Sequence, residues 1–242
     1  MKAIILAAGC GTRLHPITLD RPKCLLEVRG RSLLHHQLDL LAACGVEEIT
    51  VVIGYQGEKI RNAFGDRLGY WEYPGYAFTN NLYTLHHARH LLAGDTLVLF
   101  SDVLVTQARL EACVRSPADF ALLVDTDHNY PGTMRVRRRG DHVVDIGGHI
   151  PPSEGDGNFI GIAKFSAAGA ARLRGELEAM AATGGHRGDY YTAALPRLAA
   201  AGTPISVVPM AGAPWIEIDD LETYEAACQM DFWLAYARVR PQ

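Results

Sequence analysis

The sequence predicts an α/β fold, a three-layer sandwich around a mixed, mostly parallel sheet, and three observations carry that prediction. Short β-branched runs alternate with helically spaced apolar residues from Ala3 to Phe100, the pattern of parallel strands joined by crossover helices. A hairpin signal around Arg139-Gly140-Asp141 then adds antiparallel strands. The 242 residues are 48% hydrophobic and 21% charged, enough for a sizeable core and ordinary for a globular chain.

In chain order, Ala3 to Leu6 is a buried strand that feeds a small-residue loop, Ala7 to Thr12. Ser32 caps a helix through Leu33, Leu34, Leu38 and Leu41, and Gly45 stops it. Glu48 to Ile53 is a strand, Glu58 to Phe64 a short polar helix and Tyr70 to Tyr73 a third strand. A helix from Leu82 to about Leu92 ends at Gly94, and Thr96 to Phe100 is an apolar strand running into Ser101-Asp102. Strands are expected at Phe120–Val124, Met134–Arg138, His142–Ile146 and Asn158–Phe165. Helices follow at Ala167–Ala182 and Tyr190–Ala200, then strands at Ile205–Pro209 and Trp215–Asp219. A last helix, Leu221 to about Val239, carries Phe232, Trp233, Leu234 and Tyr236, for an interface or for core.

The net charge of −4 disfavours a general nucleic-acid or anionic-membrane surface. No apolar run approaches the ~20 residues that cross a bilayer, and the N-terminus is not a signal peptide. Five scattered cysteines, at 10, 24, 44, 113 and 228, form no CxxC pair and read as free thiols of the cytoplasm. No repeat or linker divides residues 1–242, so a single domain is expected.

The loop after the first strand is neither G-x-G-x-x-G, since Leu14 stands at the third glycine, nor a Walker A loop. Alone, Gly9-Cys10-Gly11 is an ordinary tight turn as readily as a phosphate cradle. Arg13 and Lys23 turn the balance towards a triphosphate, because Arg grips phosphate oxygens bidentately and Lys acts as a movable point charge. Asp102 ends a buried strand, where a carboxylate meets the ligand crevice of an α/β sheet, although Asp is also a common helix cap. Glu217 and Asp219 alternate with Ile216 and Ile218 on one face of their strand, and one of them can share a divalent cation with Asp102. His86 and His90 lack the Glu of H-E-x-x-H, because His87 stands there, and match no zinc spacing.

Lys2–Leu14 with Pro22-Lys23 resembles the signature of the nucleotidyltransferases that activate sugar 1-phosphates and related small phosphates. Ser101-Asp102-Val103 resembles the segment carrying that family's first metal-binding Asp, with Ser in place of the usual Gly. Trp215-Ile216-Glu217-Ile218-Asp219 resembles its late W-x-[DE]-[IV]-D segment, which places the second metal ligand at Asp219. Thr79 to Leu85 is similar to the N-N-[IL]-Y-S-L stretch of the phosphocholine and phosphonate cytidylyltransferase branch. The resemblance implies a Rossmann-like fold of the nucleotide-diphospho-sugar transferase type. Residues 1–105 would mainly bind nucleotide and 106–242 mainly the acceptor.

It further implies transfer of CMP from CTP to a phosphate or phosphonate acceptor, such as phosphocholine or 2-aminoethylphosphonate, with Mg2+ on Asp102 and Asp219. Arg13 and Lys23 are the catalytic cations. Leu6, Ala7, Ala8, Gly9, Gly11, Thr12, Tyr55, Asn80 and Asn81 border the nucleotide. The alternatives are a sugar-1-phosphate enzyme using UTP or dTTP, and a nucleotide-binding regulatory module without turnover. The acceptor's oxygen is already ionised near neutral pH, its second pKa being about 6, so no general base is needed. For the acceptor two cues stand side by side. An aromatic box drawn from Tyr73, Tyr76, Phe78, Tyr83, Tyr130, Tyr190, Tyr191 and Trp215, with Glu217 or Asp189 as counter-charge, suits a quaternary ammonium. Arg135, Arg137, His149 and Arg187 suit a carboxylate or hydroxyl.

Overall fold

The computed structural model describes residues 1–130 and 132–230. The first half comprises β1 (Lys2–Ala7), a small ladder of β2 (Glu27–Val28) and β3 (Arg31–Ser32), α1 (Leu33–Ala43), β4 (Glu48–Ile53), α2 (Gly57–Phe64), β5 (Gly69–Glu72), α3 (Asn81–His87) and β6 (Thr96–Phe100). Then come β7 (Val103–Val105), α4 (Gln107–Val114), β8 (Phe120–Asp125), β9 (Met134–Arg139), β10 (His142–Gly147) and β11 (Asn158–Phe165). The chain continues through α5 (Ala167–Thr183), α6 (Ala194–Ala200), β12 (Ser206–Pro209), β13 (Trp215–Glu217) and α7 (Leu221–Gln229).

The sequence signals for these elements act as expected in most places. Ser32 accepts the His35 amide at 3.2 Å and so caps α1. Gly184 ends α5 at φ 72°, a conformation that favours glycine. The helix expected to reach Leu92 is shorter, because α3 gives way at Ala88 to a 3-10 turn over Arg89–Leu91. β7 and α4 were not anticipated, and the continuation of α7 towards Val239, with Phe232, Trp233, Leu234 and Tyr236, lies outside the described residues. No described helix is long and apolar enough to cross a membrane.

The sheet corrects the expected fold class. β5, β4, β1 and β6 are parallel neighbours, as the alternating pattern implied. Beyond them β11 runs antiparallel to β6 and β8, β12 is parallel to β8, and β10 is antiparallel to β12 and β9. β9 then returns to β11 through Asn158↔Arg135 and Phe159↔Met134. The strands β11, β8, β12, β10 and β9 therefore close on themselves. The molecule is a mixed α/β fold with a closed five-stranded barrel, not an open, mostly parallel Rossmann-like sandwich.

The closure has a local cause. Between Phe159 and Ala163 the register of β11 against β8 shifts, and Gly161 sits there at φ +82°. A Cβ on Gly161 would lie 2.8 Å from Cδ2 of Phe100. Glycine thus permits both the bend and the close approach of β6, as at the corner of a barrel.

Two apolar clusters hold the chain. The larger joins β1, β4 and β6 to the barrel and α5. A smaller one unites Leu14, Leu26, Val28 and Leu33 with Leu104 of β7 and Ile218 beyond β13. That second cluster anchors the segment bearing Arg13 and Lys23 to the segment bearing Asp219.

Candidate active site

The site begins where β1 and β6 end side by side, Leu6 opposite Phe100. The turn after Ala7 and the Ser101-Asp102 segment consequently leave the sheet as neighbours. Gly11 takes φ 61°, and its carbonyl accepts the Thr18 hydroxyl at 2.8 Å. Tyr55 braces the same loop: its amide donates to Ala8 at 3.0 Å, and its hydroxyl to the Thr18 and Leu19 carbonyls at 3.1 and 3.0 Å. A Cβ at Gly54 would lie 2.7 Å from Cδ1 of Tyr76 and 2.8 Å from the Ala8 carbonyl, so that glycine lets Tyr76 approach the loop. A Cβ at Gly9 would meet nothing within 4 Å; its backbone faces open space, as a backbone cradle for a ligand must.

The acidic partner arrives through a short ladder. β13 pairs antiparallel with β7, Glu217 opposite Val103, and the Ile218 amide donates to the Asp102 carbonyl at 3.0 Å. Asp102, Glu217 and Asp219 each offer a carboxylate oxygen, all within 4.8 Å of one another. Lys23 reaches into them, with Nζ 2.7 Å from Oδ2 of Asp102 and 2.9 Å from Oδ1 of Asp219. Arg13 donates from Nη2 to the same Asp219 oxygen at 2.8 Å.

Burial by itself would favour the neutral amine of Lys23, but Asp102 and Asp219 outweigh it and hold its pKa above the ordinary value. Burial, reinforced by the negative charges of Asp102 and Asp219, pushes Glu217 up to about 8. Oδ1 of Asp102 is buried without any hydrogen-bond partner. A buried orphan acceptor is costly unless something else satisfies it. An acidic trio of this kind suits a divalent cation.

These groups border a cleft of about 360 Å³, within the range of small-ligand sites. Of the residues expected at the nucleotide, Leu6, Ala7, Ala8, Gly9, Gly11, Thr12, Asn80 and Asn81 line it, as do Arg13, Lys23, Asp102 and Asp219. Asn80 and Asn81 also tie α3 to the segment before α6: Asn80 donates to the Gly188 carbonyl at 3.2 Å, and Oδ1 of Asn81 accepts the Tyr191 amide at 2.8 Å. Tyr55 stands behind the loop rather than on the cleft wall.

The expected acceptor residues divide. Glu217 and Tyr190 line the cleft. Trp215 faces an adjoining cavity, Tyr83 reaches the Ala181 carbonyl of α5 at 3.5 Å, and the buried Arg135 spends its guanidinium on the carbonyls of Tyr130, Gly148 and Ile150. Tyr76, expected in the aromatic box, lines the cleft; sequence reasoning missed Thr79 as a cleft residue and Asp125 on the adjoining cavity. Asp125 was findable, because it ends a buried strand as Asp102 closely follows one.

A backbone cradle with paired cations above clustered carboxylates is the layout of a nucleotidyltransferase. The description "MobA-like NTP transferase domain" matches residues 3–188, and the chain belongs to that family. It is 25% identical over 185 residues to the CTP:phosphoglutamine cytidylyltransferase of Campylobacter jejuni, covering 69% of this chain and 73% of that one. It is 38% identical over 101 residues to the choline-phosphate cytidylyltransferase of Streptococcus pneumoniae, 40% of this chain and 43% of the relative. Several curated relatives are matched over less than half of their own length. In fold, the chain is similar to the inositol-1-phosphate CTP transferase from T. maritima, with a TM-score of 0.81, 21% identity and coverage of 100% and 98% of the two chains.

Proposed function

We propose that the protein transfers CMP from CTP to a small phosphate or phosphonate acceptor and releases pyrophosphate. The observation that carries this reading is the meeting of Lys23, Asp102 and Asp219 beside the Gly9–Arg13 turn. The cytidylyltransferases among the relatives support CTP as the donor. In this reading an acceptor oxygen attacks the α-phosphorus in line. The new P–O bond forms as the bond to the β-phosphate oxygen breaks, and that electron pair leaves with pyrophosphate. Arg13 and Lys23 gather and neutralise the two anions, the loop amides hold the triphosphate, and Asn80 and Asn81 stand beside the base. Positioning and charge neutralisation supply the catalysis, since an ionised acceptor needs no base.

Asp102 and Asp219, with Glu217 in reach, would hold a divalent ion that we read as Mg2+, a cation that takes few protein carboxylates and fills its shell with phosphate and water. When bound it supplies positive charge to the triphosphate and the leaving pyrophosphate. The orphan oxygen of Asp102 supports that fit. Residues 1–242 serve as a single nucleotidyltransferase domain, its first 105 residues mainly binding nucleotide and the rest mainly acceptor. Five free cysteines support a reducing, cytoplasmic setting.

The test is pyrophosphate release with CTP, UTP, dTTP, ATP and GTP against phosphocholine, aminoalkyl- and hydroxyalkylphosphonates, and glucose 1-phosphate. CTP with a phosphate or phosphonate acceptor is expected to lead. Silence across the panel, or a preference for UTP or dTTP with the sugar phosphate, would reject the reading.

A further inference from the structure

A second cavity, of about 690 Å³, adjoins the cleft and shares Arg13, Glu217 and Asp219 with it, so the two spaces meet at the acidic cluster. Its apolar wall is aromatic. Tyr130 meets Trp215 edge to face with ring centroids 6.1 Å apart and stacks on His128 at 5.6 Å. Behind these rings Asp125 has a side chain only 5% exposed. Its Oδ2 accepts the Trp215 indole N–H at 3.0 Å and its Oδ1 the Asp127 amide at 3.0 Å, so the carboxylate is fixed in place.

The charge of this cavity is one-sided. The carboxylates of Asp125, Asp219, Asp220 and Glu222 line it against Arg13 and the imidazole of His128, together with Glu217, which burial and its acidic neighbours hold largely neutral at pH 7. Arg13 is already bonded to Asp219, and Asp220 caps α7 through the Thr223 amide at 2.9 Å, answering the positive end of that helix. Glu217, whose backbone pairs with Val103, brings its carboxylate to the cluster of Asp102 and Asp219.

The basic residues that suggested an anionic tail are engaged elsewhere. Arg135 is held by three backbone carbonyls. Arg137 pairs with Glu154 and lies 3.9 Å from Asp145, and His149 is 3.0 Å from Asp145. Arg187 is exposed and lines neither cavity, so of the two cues in the sequence the aromatic and acidic one is the one that faces this space.

Building on the cytidylyl-transfer reading, we propose that this cavity receives the acceptor's tail and selects a cation, a primary or quaternary ammonium on a short chain. The acceptor's phosphorus group then lies at the junction, where Arg13 retains further N–H donors. The ammonium lies against the Tyr130 and Trp215 rings, whose π-faces attract a desolvated cation, with the cavity's carboxylates supplying the counter-charge.

The test compares kcat/KM with CTP and Mg2+ for 2-aminoethylphosphonate, phosphocholine, 2-hydroxyethylphosphonate and 3-phosphonopropionate, which differ in the tail. The better ammonium acceptor should exceed the hydroxyl compound by about 10-fold, chiefly through KM, with the carboxylate poorest. Tyr130→Leu, at a residue 43% exposed, should raise KM for the ammonium acceptor about 5-fold and leave KM for CTP and the melting temperature unchanged. Equal or better use of the hydroxyl or carboxylate tail, or an unmoved acceptor KM in Tyr130→Leu, overturns the assignment while pyrophosphate release still upholds cytidylyl transfer. Silence with every acceptor overturns both.

Discussion

Lys23 is the residue on which the proposed chemistry turns. Its side chain is 12% exposed and rests between two carboxylates that lie 79 and 196 positions away in the chain. It neutralises the pair when no other cation is near, and it stands where a triphosphate would need a positive charge. Removing it would leave two acids facing each other and strip the site of its buried cation. Replacing Asp102 by Asn would remove one of the two negative charges on Lys23 and one of the two oxygens open to a cation. Lys23→Ala and Asp102→Asn are each expected to lower kcat by about 10²–10³, the usual cost of losing one preorganised charge partner. Circular dichroism melts should show both variants folded, and near-wild-type turnover in either would remove the assignment. Asp102 was legible in the sequence because the end of a buried strand is a fixed address in an α/β sheet. Its proximity to Asp219 came only from the family resemblance and not from patterning, since it depends on β13 choosing β7 as its partner, and three residues carry no such instruction.

Among the elements, β11 decides the architecture. Its eight residues are all buried, and hydrophobic patterning located it residue for residue, as it did β4 and β6. Burial on both faces says nothing about which strands lie beside it, so the closed barrel was not legible from patterning. The available clue was two glycines, Gly157 and Gly161, around a strand that otherwise reads as continuous. Gly161→Ala tests that clue. The substitution combines a strained φ of +82° with a Cβ 2.8 Å from Phe100. Together these should cost about 2–4 kcal/mol of stability. Urea titration should show a lower midpoint, and an unchanged midpoint would mean that the bend at 161 is not needed for closure. Gly175, exposed on α5 with open space around its Cα, provides the control, since Ala there should stabilise slightly.

At the scale of the whole molecule, the site belongs to no single part of the fold. The loop and Lys23 come from the beginning of the chain, Asp102 from the seam between the parallel strands and the barrel, and Asp219 from beyond the barrel. What unites them is the small apolar cluster of Leu14, Leu26, Val28, Leu104 and Ile218. A nucleotide and cation bridging these segments must therefore stabilise the entire fold by linkage. At 100 times the dissociation constant the gain is about 2.7 kcal/mol, and for a chain of this size each kcal/mol raises Tm by roughly 2–4 °C. CTP with Mg2+ should accordingly raise Tm by roughly 5–10 °C. Mg2+ alone should do much less, because Lys23 already satisfies two of the three acids, and a chelator should reverse most of the shift seen with CTP. In Asp102→Asn the increment due to Mg2+ should disappear while any stabilisation by CTP alone remains. If scanning calorimetry finds CTP equally stabilising with and without the chelator in the wild type, nucleotide binding is independent of the acidic cluster. The three segments would then not act as one site.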